Sequence, residues 1–183
     1  MKKLMIILTA FLGACVHAQT SEALPPLKTV PYVDVQKYLG KWYEIARYDQ
    51  RFERGCVAAT ATYSLRSDGN LNVLNACHLN SIDGKVKSST GLAVIVDKKT
   101  NAKLKVTFFW PFYGKYWIID LGKNYEYAVV GHPDRTYLWI LSRTPQMDDG
   151  VYQGILERLQ EQHYDTSKLI KPPQIIDEKQ SEH

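Results

Sequence analysis

The stretch Gly40-Lys41-Trp42-Tyr43-Glu44-Ile45-Ala46-Arg47 contains the strongest indication of the fold. It is rich in aromatic and branched side chains and contains no proline, which is typical of a β-strand. Residues two apart along a strand share one face of the sheet. If Trp42 points into a barrel, we therefore expect Glu44, Ala46 and Tyr48 to point inward as well.

Seven further strand-like segments follow this one, with turn residues between them. The eight predicted strands span residues 42–48, 57–65, 71–78, 87–96, 103–110, 116–121, 127–131 and 137–142. No ten-residue helical pattern interrupts them, so they can follow one another as an antiparallel meander. The pattern predicts an all-β fold, an eight-stranded up-and-down β-barrel that has no free sheet edges and can enclose one small ligand.

One amphipathic helix is predicted after the last strand, over residues 148–164. Its apolar stripe consists of Val151, Ile155, Leu156 and Leu159, so we expect it to pack against the outer wall of the barrel. Asp148 or Asp149 can cap its N-terminus. Residues 169–170 are predicted to add a short strand, and residues 174–183 to form a flexible tail.

The composition is that of one ordinary globular domain, with 183 residues, 45% hydrophobic and 23% charged. The formal charge is +4, and Lys2 and Lys3 contribute two of these charges. Without the first segment the chain carries +2, which is too little for a nucleic-acid-binding protein.

The N-terminus is predicted to be an export signal. An apolar run over residues 4–14 follows two lysines and is too short to span a bilayer. Leu12-Gly13-Ala14-Cys15 resembles a bacterial lipobox, which predicts a signal peptide over residues 1–14, acylation of Cys15 by palmitate-like chains, and a tether over residues 15–36. Val16 follows the cysteine instead of aspartate, which implies sorting to the outer membrane. Cleavage after Val16-His17-Ala18 is the alternative and would give a soluble periplasmic or secreted protein.

The two remaining cysteines, Cys56 and Cys77, form an even pair in an oxidising compartment. They lie near the open end of the hairpin formed by the second and third predicted strands, almost opposite each other. We therefore predict a disulfide bond between them. Two unpaired buried thiols remain the alternative.

The two ends of the strand region resemble the lipocalins. The first strand is similar to the G-x-W signature that opens that family, and residues 137–145, Tyr-Leu-Trp-Ile-Leu-Ser-Arg-Thr-Pro, resemble its closing motif. Further stretches resemble the bacterial lipocalins, a group related to apolipoprotein D: residues 52–55, 60–65, 111–114 and 133–135. The likeness spans about residues 38–171, within a domain predicted at 37–173. The chain departs from the middle family motif, because Asp120 is displaced by two positions from the expected acidic site before Tyr125.

Gly40, Trp42 and Arg143 are predicted to be a structural signature that plugs one end of the barrel. The Arg143 guanidinium can lie across the Trp42 ring, a cation–π contact that contributes about 0.5 to 2 kcal/mol. Gly40 allows the chain to approach closely there. These residues identify the fold and do not specify a ligand.

The predicted cavity residues come from the first and last strands and from the aromatic stretch near residue 112. They are Glu44, Phe112, Tyr113, Tyr116, Tyr137, Trp139 and Leu141. An apolar cavity gains about 0.8 kcal/mol for each methylene removed from water, which favours an acyl chain. The resemblance implies a protein that binds, stores or transports fatty acids, lysophospholipids or phospholipids near the outer membrane. A barrel filled by its own side chains, with an interaction role, is the alternative.

Catalysis is not expected, because the sequence lacks a nucleophile motif and metal-ligand spacing among His78, His132 and His163. No catalytic residue, metal or cofactor is predicted. Haem or pigment binding would need an inward histidine, for which His78 is the one candidate, although a wet position near the rim is favoured.

Two surface features have more than one interpretation. Arg47, Arg51 and Arg54 lie beside Asp49 and Glu53, where a solvated mixed-charge loop is favoured over a site for a lipid head group. The aromatic stretch over residues 108–113 can contact a membrane or a second subunit, which leaves a homodimer open.

Overall fold

The structure, a computed structural model, describes residues 23–176. The predicted signal peptide, Cys15 and the last seven residues of the tail lie outside this range. The elements are α1 (Val35–Tyr38), β1 (Gly40–Tyr48), β2 (Cys56–Leu65), β3 (Leu71–Leu79), β4 (Val86–Ile95), β5 (Lys103–Phe109), β6 (Phe112–Leu121), β7 (Tyr127–Gly131), β8 (Leu138–Ser142), α2 (Asp149–Glu161) and β9 (Leu169–Ile170). The boundaries agree with the predicted strands within two residues, except that β6 begins at Phe112 instead of residue 116.

Strands β1 to β8 form a closed antiparallel barrel. Each strand pairs with its neighbours in the chain, and β8 pairs with β1 to complete the ring. This arrangement confirms the predicted eight-stranded up-and-down barrel, and β9 adds a short strand beside the end of β1. In such a meander the connections β1–β2, β3–β4, β5–β6 and β7–β8 lie at one end, which we call the mouth.

The closed end is plugged by α1 and by the residues around Trp42. Asp34 caps α1, because its side chain accepts hydrogen bonds from the backbone N–H groups of the first turn. Trp42 is fully buried and its indole Nε1 donates to the Tyr38 carbonyl at 2.9 Å. The Arg143 guanidinium lies 3.6 Å from the centre of the Trp42 ring and donates to the carbonyl oxygens of Lys41 and Lys37. The plug is therefore both packed and hydrogen-bonded.

A β-bulge in β1 changes which side chains face the cavity. The register between β1 and β8 shifts between Glu44 and Ala46, so one extra residue reverses the alternation. Ala46 and Tyr48 pack outside the barrel against α2, and the Tyr48 hydroxyl donates to the Asp165 carbonyl. The prediction that they point inward is wrong, and the buried Arg47 faces Glu44 instead.

The predicted helix, α2, covers the outer wall of the barrel. Its side chains Ile155 and Leu159 are buried against that wall, as the apolar stripe predicts. Asp148 caps the helix by accepting from the Val151 N–H at 3.0 Å. No helix within residues 23–176 is long and apolar enough to cross a membrane.

The displaced acidic residue Asp120 ties α2 to the barrel. Its carboxylate accepts from Arg158 Nε at 2.7 Å and from the Leu121 N–H at 2.9 Å. At the β6–β7 turn itself, the carboxylate of Glu126 accepts from the Asn124 N–H at 2.9 Å. Glu126 thus supplies a carboxylate acceptor at this turn, whereas the family motif has its acidic residue three positions before the tyrosine.

The C-terminal segment closes a gap in the wall. β1 pairs with β2 only from Gly40 to Tyr43, and beyond this point the two strands separate. The Gln174 amide donates to the carbonyl oxygens of Glu44 at 2.7 Å and Ala59 at 2.9 Å, which bridges the gap. Gln174, the first residue of the predicted tail, is therefore held in the barrel wall.

The predicted disulfide is present. Cys56 and Cys77 are bonded across the hairpin of β2 and β3, with their Cα atoms 5.4 Å apart. This confirms the pairing and rules out two free thiols. The bond lies towards the mouth, where β2 begins.

Part of the segment predicted as a tether packs on the barrel. Leu27 and Val33 are buried. The Val30 N–H donates to the Ile118 carbonyl at 3.0 Å, and the Val33 N–H donates to the Thr100 carbonyl at 2.7 Å. Thr100 lies in the β4–β5 connection at the closed end, so this segment runs down the outside of the barrel and ends at the plug.

Candidate ligand-binding site

A cavity of about 650 Å³ lies inside the barrel and opens at the mouth. Its volume is in the range of about 300 to 1,000 Å³ that is usual for small-molecule sites. Six of the seven predicted cavity residues line it: Glu44, Phe112, Tyr116, Tyr137, Trp139 and Leu141. Tyr113 is not among the lining residues, and its ring lies beneath the Lys105 ammonium at 4.7 Å.

Tyr63 and Tyr116 line the floor of the cavity, and the buried Tyr38 lies in the plug beneath them. The Tyr63 hydroxyl donates to the Tyr116 oxygen at 2.8 Å, and the Tyr116 and Tyr38 hydroxyls are 2.7 Å apart. Burial raises the pKa of Tyr63 to about 12 and raises the pKa values of the other two well above the ordinary value. All three are therefore neutral at physiological pH and bond to one another, so the floor presents rings instead of charges to a ligand.

Aromatic rings form one wall from the middle of the cavity to the mouth. The rings of Trp139 and Tyr137 are stacked, with centres 6.0 Å apart and an angle of 14° between planes. Phe52, in the 3₁₀ turn Arg51–Glu53 after β1, packs beside Tyr137. Sequence reasoning missed Phe52 as a lining residue, because only the folded loop brings that turn back over the mouth.

A charged cluster lies behind the aromatic wall. The Arg47 guanidinium donates to the Glu44 carboxylate, and its Nε lies 3.3 Å from a Glu53 carboxylate oxygen. Arg47 also donates to the Cys56 carbonyl at 3.2 Å, while Trp139 Nε1 donates to Glu53 at 3.3 Å. Both carboxylates line the cavity. The buried Arg47 guanidinium is the cation that contacts both of them.

The interpretation of the arginines as a solvated loop is therefore wrong for Arg47, whose side chain is only 3% exposed. It holds for Arg54, which is exposed and lies 3.5 Å from Asp49, and Arg51 is also exposed. The difference follows from the bulge in β1, which turns Arg47 towards the inside of the wall.

Burial controls the ionisation of the two glutamates. It raises the pKa of Glu44 from 4.5 to about 7, and repulsion from Glu53 acts in the same direction while Arg47 opposes it. Burial also raises the pKa of Glu53, again against the attraction of Arg47. The cluster therefore takes up a proton more readily in the folded chain than in the unfolded one.

This shift predicts a pH dependence of stability. A carboxyl group whose pKa is raised by folding stabilises the fold fully below its unfolded pKa, near 4.5, and this contribution is lost as the pH rises through 7. We expect the free energy of unfolding to fall by about 1 to 3 kcal/mol between pH 5 and pH 7.5 because of Glu44. Glu44→Gln should flatten this slope, as measured by urea unfolding at both pH values.

The exposed Glu157 on α2 provides the control, since Glu157→Gln should leave the slope of the unmodified protein unchanged. If Glu44→Gln retains the full slope, burial of Glu44 is not its cause.

The rim of the cavity carries cations, and one deeper amide is left without a partner. Lys87 on β4 and Lys115 on β6 line the opening. Within the described residues, the Asn75 side-chain oxygen is buried without a hydrogen-bond donor, and Asn75 also lines the cavity. Sequence reasoning did not single out Asn75.

Histidines and acidic groups form no metal site in the part of the chain that the structure describes. His78, the candidate haem ligand, is half-buried rather than wet and is not a lining residue. His132 lies at the rim, where its Nδ1 is 2.5 Å from the Asp134 carboxylate.

These features define a class of protein: a plugged barrel with one apolar cavity open at its mouth is a binding protein for small hydrophobic ligands. The family described as "Lipocalin-like domain" matches residues 33–174. The chain belongs to the lipocalin family, whose members bind small hydrophobic ligands and generally act as carriers.

Similar proteins come from bacteria, plants and animals. The chain is 46% identical over 170 residues to "Outer membrane lipoprotein Blc" of Escherichia coli (strain K12), covering 92% of this chain and 96% of that protein. It is 40% identical to "Temperature-induced lipocalin-1" of Arabidopsis thaliana, covering 81% and 83%, and 34% identical to "Apolipoprotein D" of Bos taurus, covering 90% and 84%. Among solved structures, insecticyanin of the tobacco hornworm Manduca sexta has the same fold, with a TM-score of 0.67, 22% identity and coverage of 86% and 88%.

Proposed function

We propose that this lipocalin binds a fatty acid or a lysophospholipid in its barrel and sequesters the acyl chain reversibly at the outer membrane. The observation that carries the proposal is the open cavity of about 650 Å³ with aromatic and aliphatic lining. Each methylene that enters it contributes about 0.8 kcal/mol. A long acyl chain can therefore bind tightly with few polar contacts.

The charges of the site indicate how the lipid is oriented. Because the pKa of Glu44 is about 7, this carboxyl group is partly protonated at neutral pH, and the cluster of Glu44, Arg47 and Glu53 carries between zero and one net negative charge. It therefore offers no attraction to a carboxylate or phosphate. Lys87 and Lys115 at the rim attract such a group. The acyl chain therefore enters first and lies over the tyrosine floor, while the head group stays at the mouth near water.

Trp139 provides a signal for binding, because its ring lies in the wall of the cavity. We expect palmitate, and separately a palmitoyl lysophospholipid, to change the tryptophan emission of lipid-free protein saturably at one lipid per chain. In Trp139→Phe most of this change should disappear, although the protein still retains labelled palmitate. A linear, unsaturable change in the unmodified protein would argue against a defined site.

The proposed location follows from the N-terminus and from the relatives. Leu12-Gly13-Ala14-Cys15 resembles a lipobox, and relatives that cover nearly the whole chain are named outer membrane lipoproteins. We infer that Cys15 is acylated and anchors the carrier to the outer membrane on the periplasmic side. Several acyl chains give stable anchoring, whereas one chain gives only marginal binding.

Fractionation of cells tests this anchor. We expect Cys15→Ser to move the protein from the membrane fraction to the soluble fraction or to block its maturation, because no lipid can be attached. Ala18→Arg disrupts the alternative cleavage site and should leave the protein in the membrane. If Ala18→Arg instead blocks maturation and Cys15→Ser changes nothing, the soluble alternative is correct.

A further inference from the structure

The connection between β5 and β6 carries a set of exposed aromatic side chains at the mouth. Trp110 is 78% exposed, Phe109 is 77% exposed and Phe112 is 73% exposed. We call these three residues the aromatic tip. Contiguous apolar surface of this kind on a soluble domain marks a site of interaction with a partner or a membrane.

The path of the N-terminal segment indicates what this end of the barrel faces. The Pro25 carbonyl accepts from Arg135 Nη2 at 2.7 Å, and Arg135 lies in the β7–β8 connection at the mouth. The segment then runs to the closed end, so the first described residues lie at the mouth, the end that carries the aromatic tip.

Chain length supports the same orientation. Nine residues lie between Cys15 and Pro25, and the ten Cα–Cα steps of this segment reach at most about 35 Å when fully extended. A nine-residue strand is about 30 Å long. Because barrel strands tilt by about 35 to 45°, this length corresponds to a height of about 23 Å along the barrel axis. If the closed end faced the bilayer, an anchor at Cys15 would use about two thirds of its reach to pass the barrel, whereas the mouth can reach the bilayer without this requirement.

The chemistry around the aromatic tip fits a bilayer surface. Tryptophan and other aromatic rings are enriched where membranes meet water. Lys87 and Lys115 at the rim, with Lys105 beside Tyr113, place positive charge near the tip. Each lysine near an anionic lipid surface contributes about 1 kcal/mol of attraction.

The tip is continuous with the cavity. Phe109 and Phe112 line the cavity and are also exposed to solvent. Beside them, β4 pairs with β5 only from Leu92 to Ile95, while the half of β4 nearer the mouth pairs with β3. The opening of the barrel therefore extends down its side next to the tip.

We propose that the barrel docks mouth-first on the phospholipid bilayer through the aromatic tip, and that lipid passes between bilayer and cavity along Phe109 and Phe112. The docking rests on the exposed tip and the position of Pro25. The passage of lipid also rests on the proposed function.

Quenching of tryptophan emission tests the docking. The acylated full-length chain is placed in vesicles of phosphatidylethanolamine and phosphatidylglycerol with brominated acyl chains. We expect a quenched component that disappears in Trp110→Phe. Trp117, on the outer wall beneath Lys103, is the matched control, since Trp117→Phe should keep that component. If Trp110→Phe leaves the quenching unchanged, docking through the tip is refuted.

A second measurement separates the tip from the ligand site. Trp110 does not line the cavity, so Trp110→Ser should leave the equilibrium retention of palmitate added from solution unchanged. The rate of uptake of labelled palmitate from vesicles should fall about tenfold. This corresponds to the loss of about 1.4 kcal/mol of docking free energy when the Trp110 ring is removed. Val96→Ser removes an exposed apolar side chain at the closed end and should leave the rate of palmitate uptake from vesicles unchanged.

The outcomes distinguish the possible partners. Normal retention of palmitate together with unchanged uptake from vesicles would overturn the docking proposal and leave the proposed function intact. A shift from dimer to monomer in solution caused by Trp110→Ser, with bilayer quenching unaffected, would identify a second copy of the chain as the partner and also overturn it.

Discussion

Trp42→Ala is expected to lower the free energy of unfolding by about 3 to 5 kcal/mol, because it removes the largest fully buried side chain of the plug. The substitution deletes the indole hydrogen bond to Tyr38 and the ring that supports the Arg143 guanidinium at 3.6 Å. Urea unfolding followed by circular dichroism measures the loss. Domains of this kind have about 5 to 15 kcal/mol in total, so the variant should be close to unfolding at 37 °C.

Trp110→Ala is the matched control, since it removes the same side chain from an exposed position. Its effect should be within about 0.5 kcal/mol of zero. A loss below about 1 kcal/mol for Trp42→Ala would show that the plug does not stabilise the barrel.

Gly114→Phe is expected to reduce the affinity for palmitate at least tenfold. Gly114 lines the cavity, and a Cβ atom added there would approach nothing closer than the Val106 carbonyl oxygen, at 4.0 Å. The backbone can therefore accept the new ring, which then occupies space that the acyl chain needs. Excluding two methylenes corresponds to about 1.6 kcal/mol, which is more than a factor of ten in affinity.

The control adds a phenyl ring outside the cavity. Ser64 is exposed on β2, and Ser64→Phe should bind palmitate as the unmodified protein does. Equal unfolding midpoints for the two variants would show that the fold is intact. If Gly114→Phe then still binds with full affinity, the lipid does not occupy this cavity.

The strand order and the outer helix could be predicted from the sequence because their signals are local. Each strand shows its own composition and is bounded by turn residues such as Asp68 and Gly69. The apolar stripe with Ile155 and Leu159 has helical spacing over more than two turns, from Val151 to Leu159. The disulfide also follows from local geometry, since one hairpin holds Cys56 near Cys77.

The charged cluster could not be predicted, because it depends on the bulge in β1. A single extra residue between Glu44 and Ala46 reverses the faces of the strand. The Arg47 side chain therefore lies inside the barrel wall, where it contacts Glu53 from the turn between β1 and β2. Pairing between strands determines where a bulge occurs, and one strand read by itself does not contain this information.

The start of β6 and the burial of the N-terminal segment could not be predicted either, because both depend on contacts between separate parts of the chain. Phe112 pairs with Phe109 across the β5–β6 connection, which extends β6 beyond the loop that Pro111 suggested. Val33 is buried because it packs in the core beside Tyr38, and the Thr100 carbonyl accepts its N–H. Both features depend on contacts with residues that are distant or across a turn.

Native mass spectrometry shows whether the barrel retains a lipid. The protein without its first 18 residues is exposed to a total bacterial lipid extract, and free lipid is then removed. We expect one retained lipid per chain, a fatty acid or lysophospholipid by mass, and we expect no retained lipid in Gly114→Phe or Trp139→Asp. A folded protein that retains no lipid from the extract would refute the proposed carrier function and indicate a barrel with a structural or interaction role.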